Sequence, residues 1–124
     1  MRLFSYYDQK GQRAIGALSA QNPNRFIPLS ASDSSIPNCL LELIEEDPQF
    51  SKVEKLIANP QAAQGDLDEI TYATLIDRPG KIICMGLNYA DHAKEGGNAR
   101  PEYPSFFMRV PSSLAAHNAP LIRP

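Results

Sequence analysis

Residues 81–95 have the sequence KIICMGLNYADHAKE, the clearest local pattern in the chain. An apolar run with two adjacent β-branched residues follows a turn-forming Pro-Gly pair, which predicts a short buried strand over residues 81–85. Gly86 ends this strand. Residues 91–95 have the composition of a helical turn, and the two glycines that follow are typical of a helix end.

His92 and Glu95 lie three residues apart in this turn, a spacing that places both side chains on one helix face. A carboxylate beside an imidazole orients the ring and tunes it to act as a base near neutral pH. The alternative is a surface helix on which both side chains simply face water, as in most isolated His-x-x-Glu patterns. The spacing alone leaves both interpretations open.

The composition excludes several classes of protein. Of the 124 residues, 43% are hydrophobic and 21% are charged, as in globular chains. The net charge is −2, without a basic tail, so nucleic-acid binding is not indicated. No signal peptide and no membrane-spanning apolar run are visible, and we therefore expect a cytoplasmic protein without a membrane partner.

The two cysteines, Cys39 and Cys84, lie in apolar settings without metal-ligand spacing. We expect both to be reduced and buried rather than joined in a disulfide. A nucleophilic Cys84 assisted by His92 is disfavoured, because a thiol in the middle of an apolar strand is not activated.

The first 30 residues predict a small β unit. Strands are expected over residues 2–7, 13–18 and 25–29, and a glycine-containing hairpin turn joins the first two. In the second strand, Ala14, Gly16 and Leu18 face one side, and Ile15 and Ala17 face the other. Tyr6 and Tyr7 are interpreted as strand packing rather than as a site.

Two helices are expected between residues 33 and 60. Ser34 or Ser35 would cap the first, with Pro37 in its first turn. Its predicted apolar face consists of Leu40, Leu41, Leu43 and Ile44. Asp47-Pro48 would start the second helix, and Asn59-Pro60 would end it.

The acidic residues around the end of the first helix are interpreted as a solvated helix end. A metal site is disfavoured there, because nothing makes these carboxylates converge. The cluster consists of Glu42, Glu45, Glu46 and Asp47.

The remaining stretches are predicted to be linkers and short strands. Residues 61–80 form a linker with an edge strand over residues 70–75. Residues 96–101 form a flexible loop before a second apolar strand over residues 106–110. A turn over residues 111–113 follows, and Leu121 starts a further strand. The fold class is α+β.

Residues 79–124 resemble the fumarylacetoacetate hydrolase family. The resemblance rests on four segments in the order and spacing of the family. They are PGKIICMGLNYADHAKE (residues 79–95), PSFFMR (104–109), PSS (111–113) and HNAPLIRP (117–124). It implies a small N-terminal domain over residues 1–78, followed over residues 79–124 by the first strands of a mixed β-roll catalytic domain.

The resemblance also implies a reaction class. Intact members act on small 2-oxo or 1,3-dicarbonyl acids, and many hydrolyse a C–C bond, as in acylpyruvates or fumarylpyruvate from aromatic catabolism. Relatives isomerise, decarboxylate or hydrate similar substrates. A Mg²⁺ or Mn²⁺ ion chelates and polarises the keto-acid oxygens. The resemblance further implies a homodimer for the complete enzyme.

Specific residues follow from the matched positions. His92 and Glu95 correspond to a dyad that activates water on a mobile lid turn, and the two glycines after them would let the lid move. Arg109 would bind the substrate carboxylate or hold a loop, and its alternative is an ordinary surface charge. Asn88 and Tyr89 are further candidates for substrate binding.

One departure from the family pattern is important. The family's metal ligands are carboxylates in a DxExE-like segment and a later Asp, and no such segment occurs up to residue 124. We therefore expect the N-terminal portion of such an enzyme, truncated and inactive alone, with no metal ligands of its own. The alternative is a non-enzymatic module in which residues 1–78 serve packing or partner binding.

Overall fold

The computed structural model describes residues 1–99 and 101–123. Two compact units are present: residues 1–77 with the described residues after 114, and residues 78–114. Arg100 of the predicted loop and Pro124 of the predicted last strand lie outside the described residues. No helix in the described part of the chain has the length and apolar character needed to cross a membrane.

A five-stranded antiparallel sheet is the framework of the first unit. Its strands are β1 (Leu3–Tyr7), β2 (Arg13–Leu18), β3 (Arg25–Pro28), β4 (Gly65–Asp66) and β5 (Thr71–Tyr72). They lie side by side in the order β4-β3-β2-β1-β5. The first three strands are confirmed, and the edge strand predicted within residues 70–75 is confirmed as the two-residue β5.

The hairpin turn between β1 and β2 is confirmed, and Asp8 holds it together. One oxygen of its carboxylate, Oδ1, accepts the backbone N–H groups of Lys10 and Gln12, each at 2.8 Å. Gly11 has a φ of 73°, a conformation that glycine adopts without steric cost. The side chain of Asp8 therefore fixes the loop that connects the two central strands.

Three short helices cover one face of this sheet. They are α1 (Leu29–Ser32), α2 (Leu40–Glu46) and α3 (Ser51–Ala58). Their buried side chains form one apolar core with those of β2 and β3. This core consists of Ile15, Ala17, Ile27, Leu29, Ile36, Leu40, Leu43 and Val53.

The predicted start of α2 is wrong. Ser34, Ser35 and Pro37 precede the helix, which begins at Leu40 with Cys39 at the N-cap. Asp33 instead organises a turn, in which its Oδ1 atom accepts the N–H of Ser35 at 2.9 Å. This turn places Ile36, with 1% of its surface exposed, in the core before the helix begins.

The apolar face predicted for α2 is only half correct. Leu40 and Leu43 are buried, whereas Leu41 and Ile44 are 38% and 41% exposed. A helix of seven residues that touches the core along one line buries only positions three apart.

The Asp47-Pro48 pair, predicted to start α3, acts in a different way from the one expected. The helix begins at Ser51, three residues after Pro48, and Phe50 before it has a φ of 54°. The Asp47 carboxylate nevertheless accepts the N–H of Lys52 at 2.9 Å, so it caps the helix from a distance. The predicted end at Asn59 is confirmed.

The other face of the sheet carries a second, aromatic core. Tyr6, Ala14 and Phe26 are buried there, and the rings of Tyr6 and Phe26 meet edge to face with centroids 5.0 Å apart. Gly16 lies beneath the rings of Phe4 and Phe26, since a Cβ atom at this position would be 2.5 Å from the first and 2.8 Å from the second. The predicted alternation of β2 is thereby confirmed.

The second unit is built on two antiparallel strands and one helix. They are β6 (Ile82–Gly86), α4 (Ala90–Glu95) and β7 (Ser105–Arg109). Ile82 pairs with Arg109, and Gly86 pairs with Ser105. The predicted helical turn and the turn over residues 111–113 are confirmed. The strand predicted to start at Leu121 is not formed over residues 121–123.

The predicted burial of β6 is wrong for the described chain. Ile83 and Met85 are 61% and 45% exposed, and every residue of β7 is exposed. Two strands leave both faces of a sheet uncovered unless other elements pack on them. Cys84 is consequently only half-buried. Cys39, at the start of α2, is also half-buried rather than buried as expected, and both are free thiols.

A Schellman motif closes α4. The N–H of Asn98 donates to the Ala93 carbonyl at 2.8 Å, and the N–H of Gly97 donates to the Lys94 carbonyl at 3.0 Å. Gly97 has a φ of 69°, which this motif requires at the residue after the helix cap. The glycine pair therefore ends the helix with defined hydrogen bonds.

The first prediction concerns this motif. Gly97→Ala is expected to destabilise the end of α4 by ~1 kcal/mol, because a Cβ atom disfavours positive φ. Nothing lies within 4 Å of that Cβ position, so the effect is purely conformational. Faster amide exchange at Gly97 and Asn98 measures it. Gly80→Ala, also in open space but without positive φ, is the control, and equal effects of both substitutions would contradict the assignment.

The second prediction concerns the stability of the fold at acidic pH. Backbone hydrogen bonds, that from Lys52 above all, lower the pKa of the Asp47 carboxyl below its ordinary value of 3.8. Because the folded-state pKa is the lower one, this stabilisation is present above pH 4 and is lost as the pH falls through the folded pKa. Asp47→Ala is expected to lower Tm at pH 7 and to reduce the loss of Tm in acid. Glu45→Ala, on the exposed side of α2, should leave both unchanged.

Candidate functional site

A left-handed residue connects β6 to α4. Leu87 has a φ of 51°, which is unusual for a residue with a branched side chain. It turns the chain out of the sheet immediately after Gly86 and places Asn88 and Tyr89 ahead of the helix. Such conformations cost about 1–3 kcal/mol and occur often at functional sites, so this turn is a candidate for positioning the helix.

His92 and Glu95 project from α4 on its exposed side. Ala93 between them is 3% exposed and is the buried residue of this helix, whereas both candidate side chains face solvent. Helix geometry places their Cβ atoms ~5–6 Å apart. Among the described residues, however, no hydrogen bond or ion pair joins the imidazole to the carboxylate.

Asn88 and Tyr89 lie at the N-terminal end of the same helix. Tyr89 is 73% exposed, and its carbonyl accepts the N–H of Ala93 at 3.0 Å. Asn88 lines a depression of about 620 Å³ together with Leu87 and Lys94. Neither His92 nor Glu95 lines it, so Asn88, which precedes the helix, and the candidate dyad lie on different surfaces.

Arg109 lies at the other end of the two-stranded sheet. It is the last residue of β7 and pairs with Ile82, whereas α4 follows Gly86 at the opposite end. Ser105 and Arg109 are four residue steps apart along the strand, which corresponds to ~13 Å. The register therefore separates the Arg109 backbone from the point where the chain enters α4.

The described residues do not fit a divalent metal site. No group of three or more His, Cys, Asp or Glu side chains within residues 1–99 and 101–123 could hold a metal ion. A hard cation such as Mg²⁺ is bound through several converging oxygen atoms. The acidic residues at the end of α2 do not provide this arrangement.

The prediction that the two glycines after Glu95 end the helix is confirmed, because Gly97 forms a hydrogen-bonded helix end. Their role in movement of a lid stays a prediction. A glycine directly after a short helical pattern is the sequence signal for this motif. The left-handed Leu87 has no comparable signal, because leucine rarely adopts that conformation.

Comparison with known proteins gives a family match. The model described as Fumarylacetoacetate (FAA) hydrolase C-terminal matches residues 81–124, which include β6, α4 and β7. A relative from Dictyostelium discoideum, named Fumarylacetoacetate hydrolase domain-containing protein 2 homolog, is 33% identical over 129 residues. That alignment covers 100% of this chain and 41% of the relative.

Two further relatives differ in the share of the chain that they match. Human "Oxaloacetate tautomerase FAHD2A, mitochondrial" is 29% identical over 97 residues, which cover 78% of this chain and 31% of that protein. An uncharacterized protein from Methanocaldococcus jannaschii is 49% identical over 47 residues, 38% of this chain and 20% of its own.

The chain spans about two fifths or less of the length of these relatives. Several relatives carry the word mitochondrial in their names, so a cytoplasmic location stays a prediction. The matched segment contains all four resembling motifs except Pro79 and Gly80, and the alignment with the Dictyostelium protein extends over the N-terminal unit as well. The chain belongs to the fumarylacetoacetate hydrolase family.

Proposed function

We propose that this chain contributes the N-terminal region of an enzyme that acts on small 2-oxo or 1,3-dicarbonyl acids. The observation that carries the proposal is that the family-matched segment presents His92 and Glu95 on the open side of one helix. Family membership supports hydrolase or isomerase chemistry. Relatives named oxaloacetate tautomerase make keto–enol exchange of a small 2-oxo diacid the first reaction to test.

The two reaction types make the same demand on His92. In tautomerisation, a base removes a proton from the carbon next to the carbonyl, and an acid returns one to the enolate oxygen. In C–C hydrolysis, the base removes a proton from water, which then attacks the carbonyl. Proton transfer by a positioned side chain contributes about 10²–10⁴-fold to the rate. One imidazole can therefore serve either reaction.

Glu95 would orient the imidazole. The two side chains do not touch in this structure, but both are exposed, so rotation about their side-chain bonds can bring them together. A carboxylate bonded to one ring nitrogen fixes the tautomer and leaves the other nitrogen free to take a proton. The dyad would form when substrate covers this side of α4. Asn88 and Tyr89 would contribute to binding only if the substrate extends around the N-terminal end of the helix.

The cation is a separate part of the proposal. A Mg²⁺ or Mn²⁺ ion would polarise the keto-acid oxygens, but the described residues provide no place for it. The proposed enzyme would therefore take its metal ligands from outside residues 1–99 and 101–123. Arg109 would bind a substrate carboxylate only if the active site extends along β7. A homodimer without nucleic-acid partners is proposed for the complete enzyme.

The uncovered sheet of the second unit supports the proposal that further parts of the catalytic domain come from outside the described residues. Ile83, Met85, Phe106 and Met108 are each at least 45% exposed. Exposed apolar side chains on neighbouring strands indicate a surface that other elements normally cover. We propose that residues 1–78 form an N-terminal domain and that residues 79–124 begin a catalytic domain.

The third prediction tests this incomplete packing. Backbone amides of Ile82–Cys84 are expected to exchange with solvent at least ~100-fold faster than those of Ile15–Ala17, because few buried contacts resist opening of β6. Hydrogen exchange of the 124-residue chain, read residue by residue by NMR, measures the ratio. Strong protection of Ile82–Cys84 in this chain would contradict the proposed need for further strands.

The fourth prediction tests the chemistry. The 124-residue chain alone should not turn over oxaloacetate or an acylpyruvate in the presence of Mg²⁺. A chimera in which it replaces the matched 41% of the Dictyostelium relative should catalyse one of these reactions. In that chimera, His92→Gln and Glu95→Gln are each expected to lower kcat, His92→Gln by ~10²–10⁴-fold. Enol absorbance and product formation are the readouts.

Asp91→Asn is the matched control, since it removes an exposed carboxylate from the same helix. Full activity of a His92→Gln chimera would show that the dyad is not the base. Metal-dependent turnover by the 124-residue chain alone would show that its own residues hold the cation.

A non-enzymatic role is the second candidate. It is favoured by the separate apolar core of the first unit, which needs no residue from 78–114. An inactive chimera, together with cooperative unfolding of residues 1–78 on their own, would favour packing or partner binding over catalysis.

A further inference from the structure

A second cavity lies within the first unit, on the aromatic face of its sheet. It has a volume of about 610 Å³ and lies between the β1–β2 turn and the segment from β4 to β5. Phe26 and Ile70 contribute apolar surface, and Asp8, Lys10 and Glu69 contribute charges. No residue of the candidate dyad is part of it. This aromatic pocket is independent of the proposed catalytic function.

Tyr6 is the unusual residue of the aromatic pocket. It is only 6% exposed, yet its hydroxyl has no hydrogen-bond partner among the described residues. Buried tyrosine hydroxyls normally find a partner, because leaving them without one is costly. The Tyr6 hydroxyl oxygen is not fully buried. Among the described residues, the fully buried side-chain oxygen without a hydrogen-bond partner is Ser32 Oγ. Water or a molecule bound in the pocket can therefore supply a hydrogen bond to the Tyr6 hydroxyl.

The charges around the aromatic pocket are predominantly negative. Asp66 also lines it, but its carboxylate forms an ion pair with Arg25 at 3.2 Å. Among the described residues, Asp8 accepts the hydrogen bonds of its turn through Oδ1 and none through Oδ2, and the Glu69 side chain has no partner. Lys10 is the opposing charge. Because Arg25 neutralises Asp66, the pocket keeps two free carboxylates, those of Asp8 and Glu69, and one ammonium group, that of Lys10.

Tyr6 keeps its proton in this setting. Burial raises the pKa of the Tyr6 phenol, and the nearby Asp8 carboxylate raises it further. The hydroxyl is therefore neutral at physiological pH, and its oxygen can accept a hydrogen bond.

We propose that the aromatic pocket binds a small organic cation: a protonated primary amine attached to an apolar, preferably aromatic, body. The body would lie against Tyr6, Phe26 and Ile70. The ammonium group would donate to the Tyr6 hydroxyl and lie near the free oxygens of Asp8 and Glu69. An ammonium near aromatic rings is also favoured by the ring quadrupole.

The fifth prediction uses three probes that share a benzyl group and differ in charge. Benzylamine, benzyl alcohol and phenylacetate are titrated into the ¹⁵N-labelled 124-residue chain at pH 7. Benzylamine should cause saturable amide shifts over residues 6–11 and 65–71, with an affinity ~10-fold higher than that of benzyl alcohol. Phenylacetate should cause no saturable shift, because its carboxylate would meet Asp8 and Glu69.

Two variants identify the groups that recognise the amine. Tyr6→Phe keeps the aromatic packing and removes the hydroxyl, and Glu69→Gln removes one negative charge at the surface. Each is expected to weaken benzylamine binding by ~5–10-fold. Tyr103→Phe and Glu45→Gln, both at exposed positions, are the matched controls and should leave the affinity unchanged.

Equal affinity for the three probes would overturn the proposal, because it would show an apolar pocket without charge recognition. The absence of saturable shifts up to ~10 mM benzylamine, the range of very weak binding, would also overturn it. If Tyr6→Phe loses the dispersed spectrum of a folded chain, Glu69→Gln decides. An unchanged affinity in that variant would contradict the proposed site.

Discussion

Burial of both faces of β2 is the constraint on which the first unit depends. Ile15 and Ala17 face the helices, and Ala14 and Gly16 face the aromatic core. A shift of one residue in strand register would exchange the two sets. It would place Ile15 where even a single Cβ atom would come within 2.5 Å of the Phe4 ring. Gly16 thus makes the register unambiguous, and the helices and the aromatic pocket are built on opposite sides of one fixed strand.

The second unit achieves order in a different way. Its sheet has little burial, and backbone conformations at both ends of α4 define the helix instead. Leu87 turns the chain at the start, and Gly97 closes the end through hydrogen bonds from residues 97 and 98. The spacing of His92 and Glu95 is therefore set by local backbone geometry, while the position of α4 depends on whatever covers the sheet. The dyad can be preserved as a pair even where the surrounding packing is incomplete.

The sequence predicted elements well where one local pattern governs them. Alternation and the Asp8 turn identified β1 and β2, and the glycine pair marked the end of α4. Prediction from the sequence failed where contacts between residues far apart in the chain determine the structure. The start of α2 depends on a turn that buries Ile36, and the exposure of Ile83 depends on how many strands cover the sheet. Likewise, the position of Arg109 at the far end from Gly86 follows from strand register, which residues 105–109 do not reveal by themselves.

The magnitude of electrostatic interactions decides how the exposed dyad should be understood. Even a fully charged pair of exposed side chains contributes only about 0–1 kcal/mol, and a neutral imidazole, the form that can act as a base, is attracted to a carboxylate less strongly. In water, that attraction barely compensates for ordering two side chains, which agrees with the absence of a His92–Glu95 contact in the described structure. A substrate or a covering element would exclude water and strengthen a hydrogen bond between the two side chains. The open arrangement of α4 is therefore what physical chemistry expects of such a dyad before anything covers it.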